Sequence, residues 1–173
     1  MELNNLIESL FQVDQEIRKN PKFPMGLIEK TDNYTTEVLK QIIELGGIPL
    51  IDKVGIDVSR KFIMMVQHSR DLEFAQDVCD KLQNESVDNV PKTIMPYLID
   101  KLLVARGEKQ KFGTILTAGK DENNDPISIP KPIEDELNVN GRRALYGLEP
   151  IEDYLKTATE NFKKFSRELN IKK

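Results

Sequence analysis

Apolar residues recur at helical spacing along most of this chain. Leu3, Leu6, Ile7, Leu10, Val13 and Ile17 share one face and predict a helix over residues 2–19, stopped by Asn20-Pro21. A second helix is expected from Thr31-Asp32-Asn33, with Thr31 or Asp32 as its cap and Val38, Leu39, Ile42 and Leu45 as its stripe. Gly46-Gly47 ends it. After Gly55, Val58, Phe62, Met65 and Ser69 recur at the same period. Ile63, Met64 and Val66 make this third helix apolar nearly all round, so it is expected at the centre of the fold and to run to His68. A fourth helix spans about Leu72 to Gln83, with Phe74, Val78 and Leu82 inward. A fifth carries Ile94, Met95, Leu98, Ile99, Leu102 and Leu103 to Gly107. Pro96, which lacks an N–H, should start or kink it.

The helical period disappears between residues 108 and 132. Phe112-Gly-Thr-Ile-Leu-Thr117 reads as a short strand, Asp121-Glu-Asn-Asn-Asp125 as a turn and Ile127-Ser-Ile129 as a return strand. Pro126, Pro130 and Pro132 confine any sheet to a small hairpin. A short helix is expected from Gly141 to Tyr146. The last helix begins at Pro150, buries Ile151, Tyr154, Leu155, Ala158, Phe162 and Phe165, and ends near residue 169 in a basic tail of Lys163, Lys164, Arg167, Lys172 and Lys173. The pattern therefore predicts a mainly α fold: a single-domain helical bundle of six or seven helices over residues 1–173, with a small β-hairpin insertion.

Composition narrows the function classes. A chain of 173 residues buries about 70% of its unfolded surface and needs no staple. The balance of 25 basic and 29 acidic residues, net −4, argues against nonspecific nucleic-acid binding. The one cysteine, Cys79, cannot form an intrachain disulfide and reads as a small buried hydrophobe rather than a reactive thiol. The first residues lack the basic and apolar regions of a signal peptide, and no apolar run is long enough for a membrane span, so a cytoplasmic protein is expected.

Most chemical motifs are missing. There is no phosphate-binding glycine loop, dinucleotide fingerprint or nucleophile elbow. One His and one Cys do not make a catalytic zinc set, and no metal or cofactor is assigned, although 29 acidic residues leave a carboxylate-held magnesium or manganese site open. What remains is a scattered polar constellation. His68, the only histidine, closes the apolar helix, preceded by Gln67. It could act as a base if a carboxylate such as Asp100 held one tautomer, or it could be a core histidine satisfied by hydrogen bonds. Asp100 stands in an otherwise apolar helix and must pair with an arginine, reach solvent or serve a site. Gln110-Lys-Phe-Gly-Thr114 offers an amide and a hydroxyl, and Arg142-Arg143 offers guanidinium forks suited to an anion.

The ordered set Asp32-Asn33, Gly46-Gly-Ile-Pro49, Val54-Gly55, Val66-Gln-His68, Tyr97-Leu-Ile-Asp100, Gln110-Lys-Phe-Gly-Thr114, Arg142-Arg143 and Gly147-Leu148 resembles an uncharacterised, mainly bacterial family catalogued as domain of unknown function 6624. The resemblance covers about residues 30–155. It implies that Gln67, His68, Asp100, Gln110, Gly113, Thr114 and Arg143 belong to the family's recurring polar set. The chain departs from that pattern at Ile48, Lys101 and Ile115, where the family tends to carry tryptophan, arginine and glutamine.

Together these readings lead to one expectation. His68 as general acid or base, oriented by Asp100, with Gln67, Gln110, Thr114, Arg142 and Arg143 binding substrate, would share one polar pocket. The protein would then be a small cytoplasmic enzyme, a hydrolase or transferase, acting on a polar anionic small molecule or modified nucleotide. The rivals are a noncatalytic sensor or sequestering protein using the same pocket, and a protein-interaction or immunity-type module with a protein partner.

Overall fold

The run of apolar residues after Gly55 becomes the helix around which the amino-terminal half is built. The computed structural model describes residues 2–20 and 23–170. It is mainly α, with eight α-helices and one two-stranded antiparallel sheet among the described residues. The chain divides into two compact units, residues 1–98 and 99–173.

In the first unit the order is α1 (Glu2–Lys19), α2 (Met25–Gly46), α3 (Ile51–Val54), α4 (Ile56–His68) and α5 (Leu72–Gln83), then a 3-10 turn at Lys92–Ile94 and the start of α6 (Met95–Ala105). Central α4 packs against α1, α2, α3 and α5. Phe62, Ile63 and Val66 are fully buried, as an all-round apolar helix requires. Cys79 is buried as well. The expected helices are present, and α3 is an additional single turn that the sequence pattern is too short to reveal.

Three details of this unit differ from the sequence reading: Leu45, expected in the apolar stripe of the second helix, is 89% exposed, and the other two involve buried or capping polar residues. Helix α2 starts at Met25, behind an extended Pro24, so Thr31 and Asp32 lie inside it rather than at its cap. The Thr31 hydroxyl donates to the Leu27 carbonyl, and the buried Asp32 carboxylate turns sideways to Arg18. In α1 the buried residues are Ile7 and Asp14, two turns apart, whereas Leu3, Leu6 and Val13 are exposed. A buried carboxylate has thus taken the place expected for a leucine stripe. The proposed stop at Pro21 lies outside the described residues.

The second unit holds the rest of α6, then β1 (Leu116–Lys120), β2 (Pro126–Pro130), a 3-10 turn at Glu136–Asn138, α7 (Val139–Leu145) and α8 (Ile151–Asn170). The hairpin pairs Leu116 with Pro130 and Lys120 with Pro126. Its prolines sit at the two ends of β2, where a missing N–H is tolerated. The expected strand at Phe112 starts four residues later, because the amides of residues 111, 112 and 114 are bound elsewhere. Helix α8 lies on β2, and the Ser128 amide donates to Thr159 Oγ1 at 3.1 Å. Ile133, Val139 and Ile151 form a small core with Leu155. In the basic tail, Lys163 faces Asp125 at 3.5 Å, and Lys172 and Lys173 lie outside the described residues. No described helix is long and apolar enough to cross a membrane.

Candidate functional site

His68 ends α4, and its ring meets a carboxylate contributed by α1. Its Nδ1 lies 3.0 Å from both Oδ1 and Oδ2 of Asp14. Asp14 is 2% exposed and His68 19%. Arg18, one turn along α1, donates from Nε to Asp14 Oδ1 at 2.9 Å, and Gln15 Nε2 donates to Oδ2 at 2.9 Å. Arg18 also binds Asp32 of α2 through Nη2, so one guanidinium bridges two buried carboxylates. Arg70 stands 3.8 Å from the same Asp32 and 3.5 Å from Glu29.

The segment 68–71 joins α4 to α5, and each of its four residues is tied to α1 or α2. His68 meets Asp14. The Ser69 Oγ lies 2.8 Å from Thr36 Oγ1, which itself donates to the Asp32 carbonyl at 2.7 Å. Arg70 faces Glu29 and Asp32, and Asp71 pairs with Lys40 at 2.9 Å. Asp71 also caps α5 by accepting the Phe74 amide. Glu29, Asp32, Thr36 and Lys40 follow one another at three- and four-residue steps, which places them along one face of α2.

The two buried carboxylates are shifted in opposite directions. Burial pushes Asp14 up, but the hydrogen bond and charge of His68, the charge of Arg18 and the Gln15 amide outweigh it, so Asp14 ionises below the usual carboxylate range. Burial also pushes Asp32 up. There, with repulsion from Asp14 added, burial prevails over Arg18 and His68 and leaves Asp32 above that range. An ionised Asp14 accepts from Nδ1–H, which leaves the lone pair of a neutral ring on Nε2.

The carboxylate in contact with His68 is therefore Asp14. This corrects the expectation that Asp100 would hold His68. Asp100, fully buried, instead accepts the amides of Lys111 at 2.7 Å, Phe112 at 3.1 Å and Thr114 at 2.9 Å, and the Thr114 hydroxyl at 2.9 Å. It stabilises its charge with loop donors, as a carboxylate in a dry interior must.

The other predicted site residues of the second unit serve the same loop. Gln110 is fully buried. Its Nε2 donates to the carbonyls of Ile115 at 3.1 Å and Lys131 at 2.7 Å, and its Oε1 accepts the Ile115 amide at 2.8 Å. Because that grip is on the Ile115 backbone, the side chain at position 115 does not alter it. Arg143, 1% exposed, donates to the carbonyls of Phe112 and Glu149, each at 2.7 Å, and stacks over Tyr154 with 4.9 Å to the ring centre. Tyr154 in turn donates to the Thr114 carbonyl at 3.1 Å. Arg142 binds the carbonyls of Lys111, Glu134 and Asp135. Asp100, Gln110, Thr114, Arg142 and Arg143 thus come together within the second unit, while His68 and half-buried Gln67 belong to the first.

Sequence reasoning missed Asp14, Arg18, Asp32 and Arg70 as members of the polar cluster around His68. One signal was available: Asp14 falls four residues after Leu10 and three before Ile17, a charge set into an apolar stripe. Among the described residues, no group of three or more His, Cys, Asp or Glu side chains is placed to hold a metal ion.

Comparison with curated proteins and with solved structures finds no match. The model of a family of unknown function, DUF6624, matches residues 9–164, which takes in both polar constellations, and the chain belongs to that family.

Proposed function

We propose that this protein is a small cytoplasmic enzyme that uses His68 as a general acid and base in hydrolysis of, or group transfer from, a polar anionic small molecule or modified nucleotide. The observation that carries the reading is the contact of His68 Nδ1 with both oxygens of buried Asp14. That contact fixes the tautomer and directs Nε2 away from Asp14, toward whatever reacts. Nε2 takes a proton from an attacking water or hydroxyl, Asp14 stabilises the imidazolium, and the proton then passes to the leaving group. Arg18 keeps Asp14 ionised and in place. The Asp100 loop supplies a rigid scaffold in its own unit.

The test is turnover of a panel of phosphoesters and nucleotides by the wild type, His68→Ala, His68→Gln and Asp14→Asn, with folding followed by circular dichroism. Loss of turnover is expected in both His68 variants. A drop of about 10²–10⁴-fold, the usual worth of a positioned acid–base group, is expected in Asp14→Asn. A substrate turned over equally well by folded His68→Ala would overturn the proposal.

A further inference from the structure

Arg70 combines a fixed backbone with a loosely engaged side chain beside the buried Asp14–Asp32 cluster. Its backbone is fixed, because Ser69 before it is bonded to Thr36 and Asp71 after it caps α5 and pairs with Lys40. Its guanidinium is nevertheless loosely engaged. Glu29 stands 3.5 Å away and Asp32 3.8 Å, both longer than a charge-assisted hydrogen bond, and the side chain is 46% exposed. Arg18, by contrast, has Nε and Nη2 committed to carboxylates that are 2% and 6% exposed.

The charges around Arg70 explain that looseness. Asp14 and Asp32 are balanced within the buried cluster by Arg18 and Arg70. Glu29 is the surplus carboxylate, 52% exposed, and it occupies the outer side of Arg70. An exposed ion pair of this kind contributes about 0–1 kcal/mol and yields readily to a stronger anion. Exchanging one anion for another on Arg70 leaves the buried balance intact.

Resting on the reading of His68 as the reacting group, we infer that Arg70 is the anion-recognition residue of that site, that it takes a phosphate-type oxyanion, and that Glu29 holds the place of this ligand until it binds. A tethered carboxylate competes at an effective concentration of about millimolar, so a free monocarboxylate gains little against it. A phosphate group, carrying about −1.5 to −2 charges and three acceptor oxygens, displaces Glu29 and engages the fork through two parallel donors. Asp32 stays behind the guanidinium and orients it. Substrates of the His68 centre would therefore be phosphomonoesters or compounds with a terminal phosphate.

The experiment uses the full chain and inorganic phosphate, with acetate as the second anion, at constant ionic strength. Binding is followed through the backbone amide resonances of residues 68–71, present in every variant, and needs no turnover. Arg70→Ala should weaken phosphate binding at least tenfold, and Arg70→Lys, which keeps charge but loses the fork, by several-fold. Glu29→Gln should tighten it several-fold and make acetate binding measurable. Arg60→Ala is the control for general electrostatics, since Arg60 is equally exposed and pairs with Asp57; it should bind phosphate as the wild type does. The inference is overturned if Arg70→Ala, shown folded by its melting curve, binds phosphate as tightly as the wild type. Equal losses in Arg60→Ala and Arg70→Ala, or no gain in Glu29→Gln, would also overturn it. Arg70-dependent phosphate binding with no His68-dependent turnover would uphold recognition and remove only the reaction.

Discussion

Asp100 and Arg143 hold one residue from its two poles: Asp100 accepts the amide of Phe112, and Arg143 donates to its carbonyl. The carboxylate and the guanidinium are linked through the backbone they share. Around that peptide the loop is closed by Gln110 on Ile115 and Lys131, by Tyr154 on Thr114, and by the edge-on contact of the Phe112 and Tyr146 rings, 5.0 Å between centres. A loop whose polar groups are this fully matched by buried side chains has one conformation, because each alternative strands a donor or acceptor in a dry interior.

Replacing Asp100 therefore has a defined consequence. Asp100→Asn turns an acceptor-only group into one with an NH2 facing amide donors, and at least one loop N–H loses its partner. A loss of about 3–5 kcal/mol is expected, the scale for breaking a buried charged network. Urea unfolding should show it, and amide exchange at Lys111, Phe112 and Thr114 should accelerate more than exchange in α4. A neutral effect would mean that the loop does not depend on this carboxylate.

Gly113 completes the same loop with a φ of +75°. A Cβ there would stand 2.4 Å from Ile151 Cδ1 and 3.0 Å from Ile133 Cδ1. Gly113→Ala combines the left-handed penalty of about 1–2 kcal/mol with overpacking of the small core. The two parts can be separated. Ile151→Val removes the nearest methyl, so the double variant should be less destabilised than the sum of the singles by about 0.5–1 kcal/mol. Strict additivity in denaturation midpoints would show that the backbone term acts alone.

The sequence disclosed the helices because their apolar stripes are long, and it disclosed the hairpin because prolines and a polar turn frame it. It disclosed less about polar partners. Asp100 was recognisable as a charge among Ile99, Leu102 and Leu103, yet nothing local says that its donors lie 11 to 14 residues downstream. The Phe112 strand was misplaced for the same reason, since extended-looking residues had given their amides to a side chain. Asp14 was hidden by its neighbours: Leu3, Leu6 and Val13 suggested an apolar face that is turned to solvent in this unit. The α2 ladder of Glu29, Asp32, Thr36 and Lys40 looks like an ordinary solvated face, and only tertiary contact with residues 68–71 gives it a role.

The opposed shifts of Asp14 and Asp32 give the cluster a pH signature. Asp14, faced by Gln15, Arg18 and His68, ionises below its unfolded value of 3.8. The native state therefore binds its proton less readily than the unfolded chain. Its contribution is fully present above the unfolded value and is lost as pH falls through the folded one. Asp32, faced by Arg18, Arg70 and Asp14, ionises above 3.8. Stability from this group declines as pH rises from 3.8 through its folded value. Asp14→Asn should therefore lower stability at pH 7, by about 1.5–3 kcal/mol for hydrogen bonds to a charged group, and the loss should shrink below pH 3.8. Asp32→Asn fixes the neutral form, so it should match or exceed wild-type stability at pH 7 and lose that advantage as the medium is acidified toward pH 3.8. Urea midpoints for the three proteins across this range decide the matter. An Asp32→Asn variant less stable than wild type at pH 7, with the deficit shrinking on acidification, would show that the Arg18 and Arg70 contacts outweigh burial.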